Sequence, residues 1–231
     1  YKDNDFSEKD WPEGYRDIDP FESYRQVFNG TLQMFDNSEL IFSRGQNQGD
    51  RNLADMVLHQ LPTIANGWNT HGMTQKMCDA YYMYNGSDFN RDIFLDTCKV
   101  ENHFVTKAEA QNEVYPHLKE GVWKEYANRE PRFYASILYN GATWKGRTLQ
   151  LYVDGNDGYM DFATTGQDNV HKSTTGYLIR KFASDDTNIN FSSILSGQYW
   201  IEMRLAEIYL IRSEAYARQN EFGKAYADLK T

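Results

Sequence analysis

The stretch that most constrains the fold is the last one, residues 199–231. From Tyr199 to Arg218 it reads as one helix, then a short turn and a second helix. Leu205, Ile208, Arg212 and Ala215 fall at helical spacing on one face, and Ala206, Leu210, Ser213 and Ala217 on another. Apolar or small residues on more than one face predict a helix packed between neighbours. Arg204, Glu207, Ile211, Glu214 and Arg218 lie three and four apart, where side chains on a helix can meet. Each Glu has a complementary Arg within one turn, so this is read as an ion-paired stripe rather than a pair of catalytic carboxylates. The turn Asn220-Glu221-Phe222 is short, so the two helices are expected to run antiparallel.

Ala215, Tyr216, Phe222, Ala225, Tyr226 and Leu229 look like a tetratricopeptide helix pair, with small residues at the close contact and aromatics beside them. One such pair does not bury its own face. Residues 1–231 are therefore expected to be one region of a longer protein, whose other helical repeats precede it. The run from Tyr199 to Arg218 resembles the carboxy-terminal signature of the SusD/RagB family, and further motifs follow the family's order. Asn37-Ser-Glu-Leu-Ile-Phe-Ser-Arg44 resembles its strand of asparagine, glutamate, an apolar pair and an aromatic. Gly67-Trp68 followed by Met73-Thr-Gln-Lys-Met-Cys-Asp-Ala-Tyr81 resembles a segment leading into a short helix, with Met73 where a proline is usual and Cys78 where valine or leucine is usual. Asn128-Arg-Glu-Pro-Arg-Phe133 resembles its "aspartate-proline-arginine-phenylalanine" element, with Glu130 in place of the aspartate. Gly176-Tyr-Leu-Ile-Arg-Lys-Phe182 resembles the strand before the last helices. The fold the resemblance implies is mostly α and SusD-like: a tetratricopeptide-type helix pair beside a loop-rich region with a few short strands.

The rest of the chain is read locally. Phe21, Tyr24, Val27, Phe28, Leu32 and Phe35 predict a helix over residues 20–35, starting at Pro20 with Asp19 as its cap. Residues 45–72 are rich in Gly, Asn, Gln and Asp and read as loop-rich, with a middle stretch that forms either a short turn of helix or an extended segment. A helix is expected over about residues 74–84, ended by Asn85-Gly86, and a helical turn over 107–114. Phe133–Tyr139 and Thr148–Val153 have strand character and are expected to form a hairpin. Residues 154–176 and 183–198 read as polar loops.

Composition narrows the function. The net charge is −9, and an acidic surface repels a phosphate backbone, so no nucleic-acid partner is expected. No apolar run reaches the length of a membrane-spanning helix. The Gly-x-Ser-x-Gly elbow, the His-Glu-x-x-His pattern and phosphate-binding glycine loops are absent from the sequence. The five histidines are scattered, with none at metal-ligand spacing from another. Asp154–Gly158 and Asp186–Asn190 approach a calcium-loop pattern but place or lack the glycine wrongly, and read as Asx-rich turns. No cofactor is expected. Cys78 and Cys98 read as two independent buried thiols, or as a pair in an oxidising compartment.

Aromatics reach 15% of the chain, enough to furnish a core or exposed stacking platforms. A glycan binder needs flat aromatic faces for sugar rings and planar polar groups for hydroxyls. The loop from Arg44 to Gly72 holds the densest mixture of these types. Its candidate ligand-binding residues are Trp68 as platform and Arg51, Asn66 and Asn69 as hydrogen-bonding groups, set against the reading that Trp68 packs beneath the loop. Tyr81, Tyr82 and Tyr84 cannot all face the core, which makes Tyr84 a further candidate. Trp144 is expected to be structural and Trp200 to open the last helix in the core, while Trp11 and Trp123 are weaker candidates.

The family resemblance implies a non-enzymatic, cell-surface nutrient-binding lipoprotein of Bacteroidetes-type bacteria. It would capture oligosaccharides and pass them to a SusC-type TonB-dependent transporter, held at the outer membrane by a lipid anchor outside this chain. The alternatives are peptide capture, as the RagB branch implies, and a secreted glycoside hydrolase, since thirty-three acidic residues leave room for a carboxylate pair.

Overall fold

The computed structural model describes residues 19–45, 52–62, 67–97, 102–144, 146–152, 155–157, 173–183 and 199–230. The architecture is mostly α, with short two-stranded pairings between the helices. Helix α1 spans Pro20–Phe28. Asp19 caps it as expected, its Oδ1 accepting from the Phe21 and Glu22 backbone N–H groups at 2.9 and 3.2 Å. The helix stops seven residues earlier than its apolar spacing predicts. Asn29-Gly30 interrupts it, with Gly30 at φ +76, and Phe35 beyond the break is almost wholly exposed.

Strand β1 (Leu40–Gly45) pairs antiparallel with β6 (Tyr199–Arg204), with Arg44 opposite Trp200. This corrects the expectation that the last helix begins at Tyr199: its first six residues are strand, and Trp200 is 38% exposed rather than core. The pairing partner lies about 160 residues away, and a long-range ladder overrides local helical spacing. Helix α7 (Leu205–Arg218) starts where the ladder ends, with the Leu205 N–H donating to Glu39 O. Helix α8 (Phe222–Leu229) returns antiparallel to it. Arg212 holds Asp228 through two bonds of 2.7 and 2.6 Å, and Ser213 Oγ donates to Ala225 O, so the hairpin is tied by polar groups at its small-residue contact. Of the expected charge stripe, Glu214 pairs with Arg218 along the helix, whereas Arg204 reaches off it to Glu39; Arg212, from the face shared with Leu205 and Ile208, reaches Asp228.

Short helices α2 (Asn52–Gln60), α3 (Gln75–Asp79), α4 (Arg91–Thr97) and α5 (Lys107–Gln111) line the middle of the chain. Helix α3 is half the expected length. Its Thr74 cap accepts from Met77 N–H, but the chain turns at Ala80 so that Tyr82–Tyr84 can run against Asn128–Glu130. Helix α6 (Pro131–Ser136) corrects the expected strand over residues 133–139. Pro131 sits at its first turn, where a missing N–H costs nothing, and Phe133 to Ser136 are all buried. Only Ile137–Leu138 (β2) continues as strand, pairing with β5 (Leu178–Ile179). The hairpin is formed instead by β3 (Thr143–Trp144) and β4 (Arg147–Thr148).

The core gathers α6 with Phe21 of α1, Val57 and Leu61, Cys78, Trp144, Leu149 and Leu178. Trp144 is fully buried, as expected for a structural residue. Arg129 is also enclosed, at 2% exposure. Its guanidinium lies between the Phe89 and Phe133 rings, 4.1 and 4.6 Å from their centroids, and donates to Cys78 O and Tyr81 O at 2.6 and 2.8 Å. One cation thus joins the end of α3 to the segment before α6. Burial lowers its pKa, which the nearby Tyr134, Asp79 and Glu125 partly oppose. No helix among the described residues is long and apolar enough to cross a membrane.

Candidate functional site

The loop that carries Trp68 folds back over the carboxy-terminal end of α2. That end leaves carbonyls without intrahelical partners, and the loop supplies donors for them. Trp68 N–H donates to Leu58 O at 2.8 Å, and the Thr70 and His71 N–H groups both donate to His59 O at 2.8 Å. Asn69 N–H donates to Leu61 O at 3.1 Å. The approach is close enough to demand glycine at position 67, where a Cβ would stand 2.1 Å from Leu61 O.

This cap presents Trp68 at 36% exposure, with its ring edge-on to His59 at 4.7 Å and 83°. His59 is itself stacked on His71 at 5.0 Å, and its Nδ1 is hydrogen-bonded to Thr70 Oγ1 at 2.6 Å. Trp68 is therefore braced by His59 and about a third exposed, which suits an apolar platform with a polar rim. Asn69 corrects the expectation at its position. It is wholly buried at φ +55, and its Nδ2 donates to Asp157 O at 2.8 Å, so it builds the turn and presents no group to solvent. Asp157, the fourth residue of the near-calcium pattern, pairs with Arg147 and accepts from Gln150 N–H, which accounts for its carboxylate structurally. Arg51, Asn66, Trp11, Cys98 and the Asp186–Asn190 stretch lie outside the described residues.

Tyr84 stands on a different support. The Tyr84 N–H donates to Asn128 O at 2.7 Å, and Glu130 grips Tyr82 twice, through its backbone N–H to Tyr82 O and its Oε1 to Tyr82 N–H, both at 3.0 Å. Glu130 stands where aspartate is usual in the resembling motif, and its carboxylate is what reaches Tyr82. The segment splits its aromatics by alternation. Tyr81 packs edge-on to Phe133, while Tyr82 and Tyr84 are about half exposed. Trp123 is partly buried, stacked on His103.

A polar hub joins buried Glu125 and Tyr177 to the partly exposed Arg91 and Asp79. Tyr177 OH donates to Glu125 Oε1 at 2.7 Å, and Arg91 pairs with both Glu125 and Asp79. Burial pushes the Asp79 carboxyl up, but hydrogen bonds from Arg91 and Gln75 outweigh it and hold the group below its usual value. The hub is occupied by its own members and ties α3, α4 and the Glu125 turn together. Among the described residues no group of three His, Cys, Asp or Glu side chains lies close enough to hold a metal ion. Sequence reasoning missed His59, Glu130 and Arg129 as supports. Each acts across a separation set by tertiary packing, which a local pattern does not signal.

The SusD family model matches residues 35–231. The chain belongs to the SusD family. Two solved structures from Bacteroides fragilis place it further. A SusD-like protein is 25% identical with a TM-score of 0.57, covering 91% of this chain and 37% of its own. A SusD-like carbohydrate-binding protein is 19% identical with a TM-score of 0.52, covering 86% of this chain and 34% of its own, a likeness of fold. The chain thus spans a little over a third of the length of these relatives. A comparison with curated proteins finds no match.

Proposed function

We propose that this SusD-family chain forms part of a cell-surface protein that binds oligosaccharides and passes them to a SusC-type TonB-dependent transporter. In this reading a lipid anchor outside the chain holds the protein at the outer membrane, and capture involves no bond-making. The observation that carries it is Trp68: an indole about a third exposed, fixed by its own backbone bonds and by His59, on the loop that caps the end of α2. Pre-organising a flat apolar face reduces the entropy lost on binding. Family membership and the carbohydrate-binding description of one structural neighbour support the same reading. Arg51, just ahead of α2 in the sequence, and Asn66, two residues before Trp68, complete the proposed contacts, and Tyr84 offers a second exposed ring.

The test is calorimetry of the chain against plant, host and microbial oligosaccharides, beside Trp68→Ala. Stacking on one ring is worth about 0.5–1.5 kcal/mol, so the substitution is expected to weaken binding roughly 2- to 13-fold. Unchanged affinity would remove Trp68 from the site. Binding of peptides with no response to any sugar would transfer the function to the peptide-capturing branch.

A further inference from the structure

Strand β6 alternates its side chains. Tyr199 turns inward, where its hydroxyl accepts from Asn37 Nδ2 at 2.8 Å. Trp200 therefore turns outward, as a two-residue period requires. It does not stand alone on the surface. Its indole lies on the Phe182 ring at 5.5 Å and 24°, and Phe182 meets Phe28 edge-on at 6.2 Å. Lys181 Nζ sits 4.0 Å from the Phe28 centroid, and Arg204 caps the same ring at 5.1 Å. These groups line an open groove of about 350 Å³, whose other walls are Glu202 and Glu207. That volume falls within the usual range for small-molecule sites.

Three properties identify the occupant. The indole is backed by a second ring, so its exposed part is held in place and not swept by rotamer exchange. The rim carries Lys181 as a donor, Arg204 with its Nη1 already on Glu39, and the carboxylates of Glu202 and Glu207 as acceptors, so it both gives and receives hydrogen bonds. A neutral ligand that offers an apolar face and both gives and receives hydrogen bonds satisfies all of them. A pyranose ring has that combination: axial C–H groups on one face and hydroxyls around the edge.

We propose that the Trp200 groove is a second carbohydrate subsite, separate from the Trp68 platform, taking one neutral sugar ring on the indole with Lys181, Glu202 and Glu207 bonding its hydroxyls. This rests on the glycan-binding reading above. Trp68 is not part of the groove's lining, and the two rings belong to different elements. An oligosaccharide long enough to reach both subsites would bind with raised avidity.

The test follows indole N–H signals by NMR in ¹⁵N-labelled protein. The chain has five tryptophans, and Trp200→Phe identifies the signal of interest. Wild type and Trp68→Ala are titrated with maltohexaose, xylohexaose, mannohexaose and chitohexaose, and with a mixed hexapeptide. The expected result is that at least one sugar moves the Trp200 signal in both proteins, and that Glu202→Gln weakens this response about 3-fold or more without altering the response at Trp68. A sugar that moves Trp68 but leaves Trp200 still overturns the second subsite and leaves the glycan reading standing. If no sugar moves either signal, both fall. A shift of Trp200 by the hexapeptide alone overturns the sugar assignment.

Discussion

Cys78 illustrates how one residue's surroundings decide its chemistry. Burial, with Asp79 beside it, pushes its thiol up to about 12. At pH 8 roughly one molecule in ten thousand then carries the thiolate. In a Cys98→Ser background, a disulfide reagent is expected to label native protein slowly and unfolded protein at once; fast labelling of the folded chain would refute the burial. Glu109 shifts the other way. Lys124 donates to its Oε1 at 2.7 Å, and Thr106 N–H donates to its Oε2 at 2.8 Å in a capping box, holding its pKa at about 2 against an ordinary 4.5. A carboxyl whose folded value is depressed contributes its full stability above the unfolded value and loses it as pH falls through the folded one. The gap in urea midpoint between wild type and Glu109→Gln is therefore expected to be widest near pH 6 and to close between pH 4.5 and 2. A gap constant across that range would show that the box does not titrate. At this scale the sequence was legible where the partners are neighbours. Asp19 caps α1 as its position beside Pro20 predicts. Asn69 was misread because side-chain chemistry alone does not reveal a positive φ and complete burial.

Elements were legible in proportion to how local their causes are. The start of α1 and the antiparallel return of α8 depend on a cap and a short turn, and both follow the sequence. Strand β6 depends on β1, and α6 sits in a run of aromatic and β-branched residues that favours strand by propensity. In both the local pattern gives way: at β6 to the ladder with β1, and at α6 to a proline-started helix that buries Phe133 to Ser136 in the core. The Trp68 loop shows the same dependence in its most exacting form, because its shape is dictated by the end of α2. Gly67→Ala would push a Cβ into the Leu61 carbonyl, a backbone group with little room to yield. The expected cost is about 2 kcal/mol, together with weakened sugar binding as Trp68 leaves its seat. Gly223→Ala, in α8 where a Cβ meets nothing within 4 Å, is the control. It is expected to gain about 0.5–1 kcal/mol from helix propensity and to leave binding unchanged. Chemical denaturation of the two variants separates these outcomes; equal effects would mean the close approach at Gly67 is absent.

Across the whole molecule, stability is unevenly distributed. The buried core is built from α1, α2, α6, the short strands and the aromatic turns around Tyr126, and no residue of α7 or α8 belongs to it. The terminal pair buries Ser213, Ala225 and Asp228 at its own contact, while Leu210, Ile211, Phe222, Tyr226 and Leu229 are each more than half exposed. The sequence foretold that such a pair leaves an apolar face unburied. It did not show that the ladder between β1 and β6 is what fastens the pair to the rest. Regions with few buried apolar contacts open locally at lower free energy than the core. Backbone amides of α8 are therefore expected to exchange with deuterium well before those of residues 133–138. Removing the two bonds to Asp228 by Arg212→Ala is expected to speed exchange in α8 further and leave residues 133–138 untouched, because the ion pair and the core share no residue. Equal protection of both regions, or a loss of core protection in the variant, would show instead that the chain opens as one cooperative unit.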